Sequence, residues 1–319
     1  MSVPAPTPTT HPRPELETLL GKRLLVVTGK GGVGKTTVAA ALGLVAARRG
    51  RRTMVAEVAR RTDVPSVFVG AQHAVDGRPE AQLAPGLFHT SVDPELALEE
   101  YLRDQLPAGP AELLVRSRVF GLLAAATPGL RELLTVGKLW ELAQLDRRTP
   151  GATPYDLVIV DAPATGHGVA VLAAPRTFAG AAHVGPIARQ AGIIDETLSD
   201  PTSTSFVAVA RAEELAVTET LALQETLRQR LDTELDAVIV NALEPDRFTP
   251  HEARVLEEQP AHPAVARALA AHARARRQRA QLGRLTRATG LKPLRLHAHA
   301  LPAPDLGVLA DELEGRLGP

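Results

Sequence analysis

Short apolar runs rich in β-branched residues recur along the chain, separated by stretches with helical spacing. Seven of them predict strands: Leu24–Thr28, Thr53–Val58, Leu87–Val92, Leu157–Asp161, Phe206–Ala210, Ala237–Asn241 and Leu294–Leu296. Continuous apolar runs of this kind belong in a parallel sheet covered on both faces, built from βαβ units. A helix is predicted from about Thr36 to Arg49, ending at Gly50 with Arg48 and Arg49 where the helix dipole favours cations. Another opens at Asp93-Pro94, a capping residue followed by proline at the first helical position. From Glu95 to Leu145 the spacing is mostly helical, with breaks around Pro107–Pro110 and Thr127–Gly129. No repeat and no second domain boundary is visible. The pattern predicts an α/β fold with a doubly wound, mostly parallel sheet and a small helical insertion at about residues 95–150. Residues 1–20, Pro/Thr-rich at the start, read as a disordered tail before a domain spanning 21–319.

Composition narrows the function classes. The chain has 319 residues, 45% of them hydrophobic, which is enough for a large core and excludes wholesale disorder. Thirty-six basic side chains balance 36 acidic ones, so no general electrostatic pull toward nucleic acid exists and no nucleic-acid partner is expected. Without cysteine there is no disulfide framework, thiolate metal site or cysteine redox chemistry. The longest apolar stretches, such as Val38 to Ala47, are too short to span a bilayer, and Met1–Pro14 lacks a signal-peptide core. The expected location is the cytoplasm. Lysine is rare, only Lys22, Lys30, Lys35, Lys138 and Lys292, against abundant arginine. Two of those five lie in one glycine loop, where a compact ammonium suits phosphate better than a broad guanidinium.

That loop is Gly29-Lys30-Gly31-Gly32-Val33-Gly34-Lys35-Thr36-Thr37, with a buried strand before it and an apolar helix after it. It satisfies G-x-x-x-x-G-K-[ST] in the context that gives the motif meaning, and predicts a P-loop NTPase. Glycines let backbone N–H groups turn inward around phosphate, and the helix N-terminus adds partial positive charge. Lys35 is expected to reach the β- and γ-phosphates of ATP, and the Thr36 hydroxyl to ligate Mg²⁺. Asp161 ends an apolar strand, the place where such enzymes keep an acid for Mg²⁺. The plainer use of an aspartate there is a helix cap or turn.

Lys30 is additional to the general motif, and a second lysine at this position marks the deviant phosphate loop. With it, the sequence resembles the arsenite-transport ATPase (ArsA-like) family, which includes the eukaryotic ATPase that targets tail-anchored membrane proteins. Asp161-Ala162-Pro163-Ala164-Thr165-Gly166-His167 is similar to the family's second switch. Glu213–Thr220 resembles its following strand-to-helix segment, Asn241-Ala242-Leu243 its adenine-contact strand end, and Leu301-Pro302 a loop near its chain end. The resemblance spans roughly residues 22 to 315. It implies ATP binding with Mg²⁺, ATP hydrolysis, and a nucleotide-driven dimer in which Lys30 reaches the partner's nucleotide. His167 is either a sensor of the switch or an ordinary loop histidine.

The resemblance also exposes a departure. The family's first switch begins with an aspartate that positions the attacking water, and an ungapped alignment of Arg51–Phe68 places Ala59 there. Glu57 and Asp63 are the nearby carboxylates: either could replace the lost group, neither occupies the matched position, and each on its own reads better as an ordinary acid in a charged loop. Slow hydrolysis is the expectation. The absent cysteines exclude thiol activation by arsenite and a cysteine-held zinc at the dimer. Met1 and Met54 are the only methionines, which argues against a methionine-rich client groove. The leading reading is an ATPase acting as a homodimer, or a heterodimer with a paralogue, that drives a partner or transport process, its client or membrane partner unnamed. Alternatives are a catalytically weak subunit beside an active paralogue, and a partition or division-site ATPase. The arginine run Arg274–Arg287 reads as a solvated helical face, His297 and His299 lack a third zinc ligand, and Leu130, Leu133, Leu134, Leu139 and Trp140 read as helix packing.

Overall fold

The computed structural model describes residues 16–58, 61–68, 80–117, 121, 126–149, 151–181, 185–259, 262–298 and 306–317. Among these lie eight strands: β1 (Leu24–Thr28), β2 (Thr53–Val58), β3 (Ala81–Ala84), β4 (Leu87–Val92), β5 (Leu157–Asp161), β6 (Thr204–Arg211), β7 (Ala237–Leu243) and β8 (Leu294–His297). They form one sheet in the order β3-β4-β2-β5-β1-β6-β7-β8. Every pairing is parallel except that of β3 with β4. The fold is therefore a doubly wound α/β structure. All seven expected strands are present. The additional strand, β3, is a four-residue antiparallel edge strand, too short for an alternating pattern to stand out.

The central strands are buried on both faces because helices cover each side. Leu24 and Val26 of β1 belong to one core and Leu25 and Val27 to the other, as the two-residue period of a strand requires. The second core is closed by the helix Lys35–Arg48 and by the C-terminal helix Leu306–Leu317, whose Leu309, Ala310 and Leu313 are buried. At Gly43 a Cβ would meet Val55 Cγ2 at 2.8 Å and Leu87 Cδ1 at 2.9 Å, so a glycine lets this helix press onto β2 and β4. The first core takes helices Leu130–Leu142, Pro186–Ser199 and Glu214–Leu231. No helix among the described residues is long and apolar enough to cross a membrane.

Asp93 caps Pro94–Gln105, its carboxylate accepting from the Glu95 amide at 2.9 Å, as the Asp-Pro start predicts. The break expected at Pro107–Pro110 is narrower. Leu106 and Pro107 separate the two helices, and Pro110 sits in the first turn of Ala108–Val115, where its missing N–H costs little. Gly129, with positive φ, starts Leu130–Leu142. Within the stretch expected as a tail, Leu16–Leu20 is a short helix with Leu19 and Leu20 buried, so packing begins before residue 21; residues 1–15 lie outside the described residues. Leu133 and Leu139 pack in the core as expected. Trp140 packs against the same core, and Leu130, Leu133, Leu134 and Trp140 also line a cavity of about 530 Å³ together with Leu98 and Tyr101.

A phosphate-binding loop at the head of the sheet

β1 is flanked by β5 and β6, and the chain runs outward from β1 to β2 on one side and from β6 to β7 on the other. Connections that diverge in this way leave a crevice at the C-terminal ends of the strands, where ligands of open α/β sheets bind. The loop Gly29–Gly34 leaves β1 into that crevice. Gly29 has φ 145°, and a Cβ there would run into the Val209 carbonyl of β6. Gly34, at φ 94°, caps the helix Lys35–Arg48 and leaves no room for a side chain beside the Asn241 amide. Only glycine satisfies both backbone and space at these two positions. Gly31 and Gly32 are exposed while Val33 is buried, anchoring the loop between open glycines.

Lys35 is buried and folds back along the loop, its Nζ donating to the Lys30 carbonyl at 3.0 Å. Burial lowers its pKa; Asp161 acts in the opposite sense and Arg61 adds to the lowering. The Thr36 hydroxyl donates to Asp161 Oδ2 at 2.7 Å. Asp161 is wholly buried, and burial raises its pKa even though Thr36, Arg61 and Lys35 all favour the carboxylate. Its Oδ1 has no hydrogen-bond partner, and neither does the buried Thr28 hydroxyl of β1. An under-coordinated hard oxygen beside a threonine hydroxyl suits Mg²⁺, which takes few protein ligands and completes its shell with phosphate and water. No group of three or more histidine or acidic side chains capable of holding a metal exists among the described residues.

Sequence comparison agrees with this geometry. The profile of the anion-transporting ATPases matches residues 22–183 and 180–262. The chain belongs to the ArsA family of anion-transporting ATPases. It is 34% identical over 240 residues to ATPase BagA of Mycobacterium tuberculosis, covering 73% of this chain and 69% of that one. It is 28% identical to a putative arsenical pump-driving ATPase of Halobacterium salinarum, over 71% of this chain but 36% of that protein. An arsenical pump-driving ATPase of Escherichia coli is also 28% identical, over 65% and 36% respectively. The chain thus spans about a third of the pump-driving proteins it matches.

The remaining expected residues of this ArsA-family chain fall as follows. Lys30 is partly exposed, and its Nζ lies 3.4 Å from Glu219 on the helix Glu214–Leu231. Asn241, near the end of β7, lies against the loop, its amide donating to the Val33 carbonyl at 3.0 Å while its oxygen accepts from Ala242 N at 2.8 Å. That side chain braces the loop. His167 is exposed on the helix Thr165–Leu172. Ala59 lies outside the described residues. Glu57 is wholly buried with both oxygens engaged, accepting from Asp63 N at 2.9 Å and Val64 N at 3.0 Å and pairing with His89 Nε2 at 2.7 Å. Burial alone would raise its pKa; the His89 and amide hydrogen bonds outweigh burial and lower it. Asp63 is exposed, 3.9 Å from Arg61.

Two residues near the loop were not among the expected site residues. Glu219 is one, although it lies in the family-like segment Glu213–Thr220, and Arg61 is the other: its Nη2 donates to the Asp161 carbonyl at 3.0 Å and lies 3.4 Å from Asp161 Oδ2. The doubled arginine at 60–61 was the only signal. Elsewhere, Arg274 pairs with Glu244 at 2.9 Å and Arg279 with Asp246 at 2.5 Å, so part of the basic run is spent within the chain. His297 pairs with Glu312 at 2.8 Å, and His299 lies outside the described residues.

Proposed function

We propose that this chain binds Mg·ATP at Gly29–Thr37 and hydrolyses it, working in the cytoplasm as a nucleotide-dependent dimer that drives a partner process. The observation that carries the reading is the trio of Lys35, Thr36 and Asp161. Lys35 supplies a buried ammonium to the β- and γ-phosphates, and the loop amides at the helix N-terminus cradle the phosphates behind it. Thr36 and Asp161 would hold Mg²⁺, which would supply neutralisation of the charge that develops on the phosphates. Lys30 reaches the nucleotide of the partner subunit. Its contact with Glu219 supports this, since a half-exposed ion pair contributes about 1 kcal/mol or less and is readily exchanged.

Hydrolysis in this reading is slow. Ala59 offers no acceptor to an attacking water, and Glu57, with both oxygens occupied, is poorly placed to substitute. That occupancy favours a second reading, in which the chain is the catalytically weak half of a heterodimer with an active paralogue. Lys35→Ala tests the assignment directly: nucleotide affinity should fall at least tenfold and turnover should vanish. Undiminished ATP binding by that variant would sink the proposal. Mass measurement of the purified chain with a slowly hydrolysed ATP analogue separates homodimer from heterodimer, because the second reading predicts a monomer until the paralogue is added.

A further inference from the structure

Arg61 stands where the chemistry of the site needs explaining. A wholly buried carboxylate is unfavourable without a compensating cation, and two cations act on Asp161: Lys35, and Arg61 through its carbonyl and carboxylate contacts. The guanidinium is further tied by Nε to the Val58 carbonyl at 3.3 Å. Yet its side chain remains 32% exposed, whereas Asp161 cannot move from the end of β5. If Asp161 holds a divalent ion, two positive groups crowd one carboxylate, and the long, solvent-reaching arginine is the one able to yield.

The sheet order says where it goes. β5 lies between β2 and β1, so the phosphate loop approaches Asp161 from the β1 side and Arg61 from the β2 side. A nucleotide cradled in the loop extends only its far end across β5. We propose that Arg61 is a nucleotide-state residue: it neutralises Asp161 in the empty site and transfers its guanidinium to the terminal phosphate of Mg·ATP. The planar fork suits that phosphate, and it supplies charge stabilisation there. With ADP the terminal phosphate is missing, so Arg61 gains nothing by leaving Asp161. Arg61 therefore discriminates ATP from ADP.

This inference rests on the Mg·ATP reading above, and the test separates the two. The full chain and its Arg61→Gln and Arg61→Lys variants are titrated with fluorescent ATPγS and ADP, each with excess Mg²⁺ or with EDTA. Arg61→Gln should bind Mg·ATPγS about tenfold more weakly, equivalent to about 1.4 kcal/mol. Mg·ADP should bind it equally well or more tightly, and less Mg²⁺ should be needed to saturate the ADP complex. Arg61→Lys, which keeps the charge but loses the fork, should fall between. An unchanged ATPγS-to-ADP affinity ratio in Arg61→Gln overturns the proposal, as does an equal loss for both nucleotides, which marks a damaged loop. Absence of nucleotide binding by the wild type would instead remove the Mg·ATP reading itself.

Discussion

The two ends of β5 both bury charge, and they treat it differently. Ahead of the strand, Arg147 is almost fully enclosed and bonds Glu141 at 2.8 Å and Glu80 at 2.7 Å. Lys138 adds contacts to Glu141 at 3.1 Å and Glu100 at 2.7 Å, and the Tyr155 hydroxyl donates to Glu80 at 2.5 Å. Each ion has an opposite partner. Burial opposes ionisation of Glu141, yet Arg147 and Lys138 outweigh it and hold the carboxyl below its ordinary range. At the far end, burial of Asp161 wins, its pKa rises, and one oxygen is left unbonded. Glu141 Oε2 and Arg147 Nη1 also lack hydrogen bonds, but they belong to ions already paired within the cluster, Oε2 lying 3.1 Å from Lys138 Nζ; the cluster compensates its own charge, while Asp161 is left under-compensated. Beside Asp161 in register sits Glu57, which behaves like the structural kind although it lies at the functional end.

The largest effect should come from opening the closed cluster. Arg147→Ala strands Glu141 and Glu80 without their main cation, and removing one partner of a buried pair costs about 3–5 kcal/mol. Thermal melting should drop on the order of 10 °C, while the folded protein retains nucleotide affinity. Pairing the change with a neutral Glu141, as Arg147→Met with Glu141→Leu, should recover much of the loss. A loss under about 1 kcal/mol in the single variant would erase the contrast between the two ends.

Glu57→Gln is the next test, because this residue crosses the division. As a structural acid it contributes charge-assisted bonds to His89, Asp63 N and Val64 N, and the neutral amide should cost about 1–3 kcal/mol. The sign with pH follows from its lowered pKa: stability is present above the unfolded-state value and lost as pH falls through the folded one. The deficit of Glu57→Gln, read from denaturant titrations, should therefore shrink in acid. Normal stability with collapsed ATP turnover would show the opposite, that Glu57 has taken over water positioning from residue 59.

This division was only half legible in the sequence. Periodicity located seven strands and the phosphate loop because those segments obey local rules: apolar runs, and glycine where the backbone nears Val209 or Asn241. The edge strand β3 and the Leu16–Leu20 helix were missed, since four or five residues carry no periodic signal and their burial is decided by distant neighbours. Lys35, Thr36 and Asp161 were found by motif and are brought together by β1 and β5. Arg61 and the commitment of Glu57 were not found. The Arg61 contact depends on strand order, which places β2 next to β5 and so sets residues a hundred positions apart in contact, while Glu57 is held by the turn after β2 and by His89 on the neighbouring β4.

The smallest stability change, and the sharpest discrimination, should come from Asp161→Asn. The raised pKa means the folded state binds the Asp161 proton more tightly than the unfolded chain does. The ionised group therefore opposes folding at neutral pH, and this opposition is relieved as pH falls through the folded-state value toward the unfolded one. Asparagine keeps an oxygen for the Thr36 hydroxyl and removes the buried charge, though its amide then faces the unbonded position. Stability at neutral pH should thus stay within about 1 kcal/mol of the wild type, with the variant losing the wild type's gain on mild acidification. Function should move far more. With Mg²⁺ present, the tightening of ATP-analogue binding relative to EDTA should disappear, because Asp161, with its raised pKa, is the carboxylate whose charge the chain leaves under-compensated, whereas those of Glu57 and Glu141 are lowered by their own partners. A variant that melts far below the wild type while keeping its Mg²⁺ dependence would place Asp161 with the structural acids.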